Sequence, residues 1–347
     1  MSSPKRLSFP GLGIEEFEID PIIFSLGDKI KISWYSVIIT LGIILAGVYV
    51  WQRFKEAHLS SDDLIDFALL VVPIGIVGAR LYYVIFKFKD NYLVTDGDFW
   101  HNLGNTLLRI VSVWEGGLAI YGGIIAGGIT AVLVARHKKI KLLKILDMLA
   151  PAVMMAQSIG RWGNFANVEA FGAPTTLPWR MCSPRIASNF YGLGLVDDNG
   201  YYQVLSGEIG AHPTFFYESM WNLIGFLVIY FVFVRKKKLH KFDGQIFYMY
   251  LAWYGLGRLW IEGLRTDSLY LIPNVIRVSQ FVALLSFLCG VGLLIFGYIR
   301  FYKYGKGEMI LVIPKEITEE KKTEEKENGK NNQRKRSSSK SKRKHKK

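Results

Sequence analysis

Residues 154–172 read MMAQSIGRWGNFANVEAFG and join an apolar run directly to a polar segment. The polar segment holds Arg161, Asn164, Asn167 and Glu169. Ionisable side chains are costly inside a bilayer, so their appearance at the end of an apolar run indicates a functional site by default. We therefore interpret this stretch as the junction between a membrane span and a polar site.

The chain as a whole is apolar, with 50% hydrophobic residues among its 347. Several apolar runs reach about twenty residues, the length that crosses a hydrocarbon core of ~30 Å. The predicted spans cover residues 33–52, 64–86, 114–135, 145–160, 214–234, 244–263 and 279–300. The fourth span is the shortest and depends partly on the charges that flank it. The sequence therefore predicts an all-α, polytopic membrane protein with about seven transmembrane helices.

Cations divide unevenly between the connections of these spans. Residues 136–144 (RHKKIKLLK) and 235–241 (RKKKLHK) each carry five Lys or Arg, whereas 161–213 carries three in a much longer segment. Loops rich in Lys and Arg lie in the cytoplasm, so the N-terminus is predicted outside and the C-terminus inside. The predicted parts are an outer-face segment 1–32, a seven-span domain 33–300 with an outer-face insertion 161–213, and a cytoplasmic basic tail 301–347.

The basic tail is predicted to be disordered, because residues 315–347 are almost without apolar side chains and carry +8 of the net charge of +14. Binding to nucleic acid or to anionic lipid headgroups is an alternative, but a solvated tail is favoured and no specific nucleic-acid partner is expected. Cys182 and Cys289 have no metal-ligand spacing, and no metal site is predicted.

Further polar groups lie at the ends of other spans, and on the predicted topology all of them fall in the outer half of the membrane. They are Arg80 in span 2, His212 and Glu218 at the start of span 5, and Tyr254, Arg258, Glu262 and Arg265 on one face of span 6. Individually, Arg80 could snorkel to the interface, and Arg258 with Glu262 could be a structural ion pair. Together they favour a polar chamber. Because Arg binds phosphate bidentately, the chamber suits a phospholipid headgroup.

The stretch GRWGNFANVEAFG resembles the signature of bacterial prolipoprotein diacylglyceryl transferases, G-R-x-G-N-F-x-N-x-E-x-x-G, at every fixed position. Other blocks are similar to the same family. They are ISWYSV with Tyr35, the glycine-rich EGGLAIYGG (115–123), HPTFFYES (212–219), and the R-x-x-x-E-x-x-R block formed by Arg258, Glu262 and Arg265.

The resemblance implies an enzyme of the bacterial cytoplasmic (inner) membrane. Such an enzyme moves the diacylglyceryl group of phosphatidylglycerol onto the lipobox cysteine thiol of a prolipoprotein signal peptide, and it releases glycerol 1-phosphate. It implies that Arg161 and Arg258 are catalytic cations beside the headgroup, that Asn164 and Asn167 bind it, and that Glu169 and Glu262 orient the arginines. The other residues assigned to substrate binding are Tyr35, Arg80, Gly160, Gly163, His212, Glu218, Tyr254 and Arg265. No metal or organic cofactor is implied.

One position departs from the best-known branch of that family, where the glycine-rich block carries a histidine proposed as the base. Here the position is Tyr121. Tyrosine, with an ordinary pKa of ~10, is a poor base, so Tyr121 is predicted to donate a hydrogen bond instead. A transporter of anionic solutes or lipids and a non-catalytic scaffold are the alternatives. The absence of a convincing internal repeat weighs against the transporter.

Overall fold

The computed structural model describes residues 5–26, 30–94, 97–113, 116–266, 270–272 and 276–304. The predicted disordered tail, apart from its first four residues, lies outside the described residues. The helices are α1 Trp34–Glu56, α2 Ser61–Lys87, α3 Phe99–Val111, α4 Ile120–His137, α5 Leu142–Asn167, α6 Pro184–Gly192, α7 Asp198–Ser206, α8 Thr214–Val228, α9 Gln245–Gly263 and α10 Val278–Tyr304. The strands are β1 Lys5–Phe9, β2 Ile14–Ile19, β3 Ile22–Leu26, β4 Ile30–Ser33, β5 Pro174–Thr175, β6 Gly210–Ala211, β7 Tyr270–Ile272 and β8 Ile276–Arg277.

Within the described part of the chain, six helices are long and apolar enough to cross a membrane. They are α1, α2, α4, α5, α10, and α8 together with its π-helical continuation Ile229–Val234. The seventh predicted span is also a helix, α9. It carries Arg258 and Glu262 and is not one of these six apolar helices. The all-α, polytopic prediction is confirmed. The short strands form two-stranded antiparallel pairs outside the spans.

Helix α5 lies at the centre of the bundle and packs against α1, α8 and α9, while α10 packs against α9. It is longer than the predicted span 145–160, because it continues through the polar motif as far as Asn167. The helix ends where Val168 adopts a left-handed backbone with φ 48°. Residues 161–167 of the predicted insertion are therefore helical, and this extension carries the polar side chains of the motif into the bundle.

Helices α2 and α4 form a closely packed pair, as the small residues of their sequences predict. A Cβ atom placed on Gly122 would lie 2.3 Å from the carbonyl oxygen of Gly78, so only glycine permits this approach. A buried cluster that includes Phe54, Phe67 and Val134 joins the pair to the rest of the bundle. This cluster lies where α1 and α4 end and α2 and α5 begin, far along α5 from Arg161.

The buried carboxylate of Asp147 connects the first part of α5 to the loop before α9 by hydrogen bonds. Asp147 of α5 accepts hydrogen bonds from the backbone N–H groups of Gly244 (2.7 Å) and Phe247 (2.9 Å). His240 Nε2 lies 3.1 Å from the same carboxylate. Burial lowers the pKa of His240, but the hydrogen bond and charge of Asp147, with Asp243 nearby, outweigh it and raise the pKa overall.

The N-terminal hairpin β1–β2 packs on the insertion between α5 and α8. Ser8 and Cys182 exchange two backbone hydrogen bonds of 3.0 Å. Leu7 is fully buried in a hydrophobic cluster formed with Phe171, Phe190 and other residues of the insertion. The first strand of the chain and the insertion therefore share one core, which lies against the end of α5 that carries the polar motif.

Candidate active site

Two arginines and one carboxylate from three different helices meet at the centre of the site. Glu218 of α8 is buried, with 4% of its surface exposed. One of its oxygens accepts a hydrogen bond from Arg161 of α5, and the other accepts one of 2.9 Å from Arg258 of α9. A carboxylate shared between two guanidinium groups holds them side by side despite their mutual repulsion. Among the predicted residues, Arg161, Arg258 and Glu218 therefore come together.

Polar contacts between α5 and α8 fix the position of Glu218 opposite Arg161. Ser158 donates a hydrogen bond of 2.9 Å to the carbonyl oxygen of Ser219, and Ser219 donates one of 2.8 Å to that of Ser158. Trp162 donates from its indole to the Ser219 hydroxyl at 3.2 Å. Because hydrogen bonds between membrane helices fix their rotation and register, these contacts determine which side chains face each other at this level.

A reciprocal tryptophan pair fixes α8 against α9. Trp221 and Trp253 stack with ring centroids 4.7 Å apart, and each indole donates a hydrogen bond of 2.9 Å to the backbone carbonyl of the other. Gly257 leaves room for the Trp221 indole, since a Cβ there would lie 2.1 Å from its nitrogen. Arg258 follows Gly257 directly, so this packing places its guanidinium beside Glu218.

A second buried carboxylate supports Arg258. Glu262, one helical turn further along α9, lies 2.7 Å from Arg258 Nη2 and is 3% exposed. This ion pair places Glu262 beside Arg258, the arginine that it was predicted to orient. Arg277, which the sequence analysis did not single out, donates a hydrogen bond to the backbone carbonyl of Glu262.

The two asparagines of the motif bind Glu169. Asn164 and Asn167 donate from their amides to the same Glu169 oxygen, at 3.1 and 3.2 Å. Asn164 in turn accepts a hydrogen bond of 3.3 Å from Arg161. Glu218 pairs with Arg161 directly, and Glu169, which was predicted to orient Arg161, contacts it only through Asn164. Sequence spacing could not show this, because Glu169 lies beyond the end of α5.

The glycines of the motif serve close packing. Gly160 and Gly163, which were predicted to take part in substrate binding, lie inside α5, where backbone N–H groups bond along the helix. A Cβ on Gly163 would lie 2.8 Å from the ring of Tyr35, and one on Gly160 would lie 3.1 Å from Ile39. Tyr35, also predicted in the site, therefore packs against the turn of α5 that carries Asn164.

His212 lies at a junction just outside the span that begins at Thr214. Its carbonyl oxygen accepts a hydrogen bond of 2.8 Å from the Gly172 N–H, and its Nδ1 lies 3.3 Å from the Tyr217 hydroxyl. Burial lowers the pKa of His212, which favours the neutral ring at pH 7. Gly172 also forms a backbone bridge with Arg265. The junction joins the end of the motif to the start of α8 and the end of α9.

Tyr254 lies one turn before Arg258 on α9, and its electrostatic neighbours include Glu218, Arg258 and Arg161. Its ring stacks on Tyr250, with centroids 5.7 Å apart. Gln157, one turn before Arg161, donates a hydrogen bond of 3.2 Å to the Tyr250 hydroxyl. The polar layer thus continues one turn deeper on both α5 and α9.

Arg80 was predicted to bind substrate, but the structure gives it a structural position. The side chain is buried, and it donates to the backbone carbonyl oxygens of Arg109, Ile110, Ser112, Gly116 and Gly117. Its guanidinium also lies 5.0 Å from the centre of the Tyr92 ring. Through these hydrogen bonds Arg80 holds the end of α3 and residues 116–117, which precede α4, against α2. A sequence pattern cannot distinguish it from a ligand-binding arginine, because backbone acceptors leave no residue-type signal.

Tyr121 lies in the first turn of α4 and is 38% exposed. Its hydroxyl forms no hydrogen bond with the described residues, and its role as a donor stays a prediction.

Cys182 is buried in the insertion, where burial raises the pKa of its thiol to about 11. Its thiol donates to the carbonyl oxygen of Ile209 at 3.3 Å. Cys182 is therefore unsuited to act as a nucleophile.

Lys5 is a polar neighbour of the site that the sequence analysis missed. Its ammonium donates a hydrogen bond of 2.6 Å to the carbonyl oxygen of Asn167, which is 162 residues away in the chain. No local sequence pattern predicts such a contact.

The site as a whole is a chain of alternating charges: Glu218 lies between the two guanidinium groups, and Glu262 lies on the other side of Arg258. The amide of Asn164 lies beside Arg161, and it shares the Glu169 carboxylate with the amide of Asn167. This arrangement can bind a small anion and stabilise negative charge that develops on it.

Comparison with known proteins identifies the family of this chain. A family model described as prolipoprotein diacylglyceryl transferase matches residues 21–296. Phosphatidylglycerol–prolipoprotein diacylglyceryl transferase of Streptococcus sanguinis is 41% identical over 281 residues, covering 80% of this chain and 95% of that protein. The protein of the same name from Finegoldia magna is 40% identical over 273 residues, covering 79% and 94%. The one from Lysinibacillus sphaericus is 38% identical over 285 residues, covering 82% and 94%. The chain belongs to the prolipoprotein diacylglyceryl transferase family and is a multi-pass membrane transferase.

Proposed function

We propose that this chain transfers the diacylglyceryl group of phosphatidylglycerol to the cysteine thiol of a prolipoprotein lipobox, and that Arg161 and Arg258 bind the phosphate of the donor lipid. The observation that carries the proposal is the pair of guanidinium groups held side by side by the buried carboxylate of Glu218. The names of the relatives support the identity of both substrates.

The charge and donor count of the site suit a phosphodiester. Each guanidinium has five N–H groups, and its bonds to Glu218, Glu262 and Asn164 leave further donors on both arginines. Because the carboxylates hold the arginines before the lipid arrives, little ordering is required when it binds. Glu169, acting through Asn164, keeps Arg161 in the same orientation.

The reaction is a displacement at carbon. The sulfur of the acceptor cysteine, as thiolate, attacks the glycerol carbon that bears the phosphate; the carbon–sulfur bond forms while the carbon–oxygen bond breaks. The electron pair stays on the phosphate oxygen, so glycerol 1-phosphate leaves and the thiol proton passes to it or to water. Arg161 and Arg258 stabilise the charge that develops on the leaving oxygen, and their positive field lowers the pKa of the incoming thiol. The nucleophile belongs to the substrate.

We also propose that the site faces the outside of the bacterial cytoplasmic membrane, with the N-terminus outside and the C-terminus in the cytoplasm. The cation-rich segments 136–144 and 235–241 adjoin the end of α5 that carries Asp147, and the site lies at the other end. The positive-inside rule assigns the first end to the cytoplasm.

The test is an assay with defined substrates. The purified full-length chain in detergent is incubated with phosphatidylglycerol and a lipobox peptide, and mass spectrometry detects a diacylglyceryl group on the peptide cysteine. We expect product from the unaltered chain, loss of product in Arg161→Ala and Asn164→Ala, and unchanged product in Cys182→Ser. A transporter would move lipid across a vesicle membrane and leave the peptide unmodified. Absence of modified peptide across several detergents and lipids would refute the proposal.

A further inference from the structure

A cleft of about 440 Å³ opens beside the motif, between the end of α5 and helix α6 of the insertion. Glu169 forms part of its wall, with Thr266 and the α6 side chains of Arg185, Ser188 and Asn189. The volume is in the range of small-molecule sites. Glu169 also accepts the amides of Asn164 and Asn167, so the cleft begins where the hydrogen-bond network from Arg161 ends.

The wall of this cleft carries one positive charge, on Arg185, and one negative charge, on Glu169, and Lys5 beside it adds a second positive charge. Arg185 is exposed, and its guanidinium forms no ion pair or hydrogen bond with the described residues. Lys5 stands next to the cleft: burial and the charge of Arg185 lower the pKa of its ammonium, while the charge of Glu169 acts in the opposite direction. Two cations therefore accompany one carboxylate, and both amide donors lie on a single oxygen of that carboxylate. Hydroxyl and amide groups of Ser188, Asn189 and Thr266 supply further donors.

The backbone around Glu169 is held in an unusual conformation. Val168 and Ala170, on either side of it, both adopt left-handed φ values, +48° and +56°. Such positions are strained for residues other than glycine and persist only where the surroundings impose them. Val168 is fully buried in the core that β1 shares with the insertion. This core thus fixes Glu169 between the asparagines on one side and the cleft on the other.

We propose that this cleft is a binding site for a phosphomonoester, and that it receives glycerol 1-phosphate as the product leaves the two arginines. The inference rests on the proposed function. A phosphomonoester carries a charge of −1.5 to −2 near pH 7, whereas the phosphodiester of the donor lipid carries only −1. A site whose two cations outnumber its one carboxylate therefore prefers the product over the substrate. Arg185 is the bidentate partner of the phosphate, and Ser188 and Asn189 complete its shell.

An extended acceptor peptide is the other occupant to consider. One way in which an extended peptide docks is to pair its backbone with the edge of a sheet, and the wall of this cleft holds side chains of a helix, α6. A guanidinium without an ion pair, beside hydroxyl and amide groups, suits a small anion. The observations thus favour the phosphomonoester, and the peptide is an outcome that the experiment can reveal.

The test measures equilibrium binding of radiolabelled glycerol 1-phosphate, and of inorganic phosphate, to the detergent-purified full chain. The Arg161→Gln variant is the parent protein for these measurements, because this substitution removes one cation of the neighbouring site. We expect saturable binding in Arg161→Gln, at least tenfold weaker binding in Arg161→Gln/Arg185→Gln, and only partial recovery in Arg161→Gln/Arg185→Lys, because lysine restores the charge and not the bidentate contact. Arg6→Gln is the matched control, since Arg6 neighbours Lys5 in β1 but pairs with Glu16 and Glu18. Equal affinity with and without Arg185 overturns the proposal.

Turnover measurements identify the ligand. In the transfer assay, Arg185→Gln should raise the inhibition constant of glycerol 1-phosphate about tenfold and leave the KM for phosphatidylglycerol within twofold. A rise in the KM for phosphatidylglycerol would assign Arg185 to the donor lipid, and a rise in the KM for the lipobox peptide would assign it to the acceptor; either result overturns the proposal. If no transfer occurs at all, the proposed function fails, while the binding measurement still tests the anion site by itself.

Discussion

Replacing Glu218 with Gln is the sharpest test of how the site is organised. The substitution keeps the shape of the side chain and one acceptor oxygen, but removes the negative charge that holds Arg161 and Arg258 together. The two guanidinium groups then repel each other, with Glu262 left as the carboxylate beside Arg258. We expect kcat/KM for the transfer to fall, because the phosphate must then organise both arginines when it binds.

The size of the loss follows from the two hydrogen bonds to Glu218. A charge-assisted hydrogen bond contributes about 1.5–3 kcal/mol and a neutral one about 0.5–1.5 kcal/mol, so the arginine that keeps an acceptor oxygen loses about 1–1.5 kcal/mol, and the arginine that faces the new NH2 group loses about 1.5–3 kcal/mol. The total is about 2.5–4.5 kcal/mol, which corresponds to roughly a 70- to 2000-fold decrease in kcat/KM. An opposing effect exists, since removal of the carboxylate strengthens the attraction of each arginine for phosphate. We expect positioning to outweigh it, because both arginines must bind one anion.

The assay is transfer to a fluorescent lipobox peptide over a range of phosphatidylglycerol concentrations, with thermal unfolding measured in the same detergent. Glu208→Gln is the matched control, because Glu208 is an exposed carboxylate of the insertion. It should retain full activity. If Glu218→Gln kept more than a third of the normal kcat/KM with unchanged Tm, the shared carboxylate would not be what positions the arginines, and the reasoning above would be refuted.

Three further predictions concern residues outside the arginine pair. Arg80→Lys should lower Tm markedly and leave the KM for phosphatidylglycerol of the folded fraction within twofold, because lysine cannot reproduce the five backbone acceptors of Arg80; a selective rise in KM would return Arg80 to the substrate site. Tyr121→Phe should lower the activity more than tenfold, because the hydroxyl is the predicted hydrogen-bond donor, and retention of at least a third of the activity would show that the hydroxyl is dispensable. The raised pKa of His240 means that its pairing with Asp147 stabilises the fold below pH 6.5 and is lost as pH rises through the folded-state pKa. Tm should therefore fall more between pH 6 and pH 8 in the unaltered chain than in His240→Gln, and equal slopes would contradict the assignment.

The sequence was sufficient to predict the membrane spans and the residue types of the site, because apolar length and intramembrane charge are local properties. It could not predict which carboxylate pairs with which arginine. Glu169 is close to Arg161 in sequence, yet Glu218 is its partner, because the pairing depends on the rotation of α8 against α5. The role of Arg80 was equally hidden, since its acceptors are backbone carbonyls. The extension of α5 through the motif was missed because Gly and Asn ordinarily indicate the end of a helix.

The contact between Lys5 and Asn167 has a consequence for the synthesis of the protein. The two residues are 162 positions apart, so the ribosome, at roughly 5–20 residues per second, needs roughly 8–32 s to make the second after the first. During this interval the N-terminal strand has no insertion to pack against, and Leu7, fully buried in the finished molecule, lacks the core that covers it. Strand β1 is thus made well before the core that covers it, and Leu7 stays uncovered until the insertion has emerged.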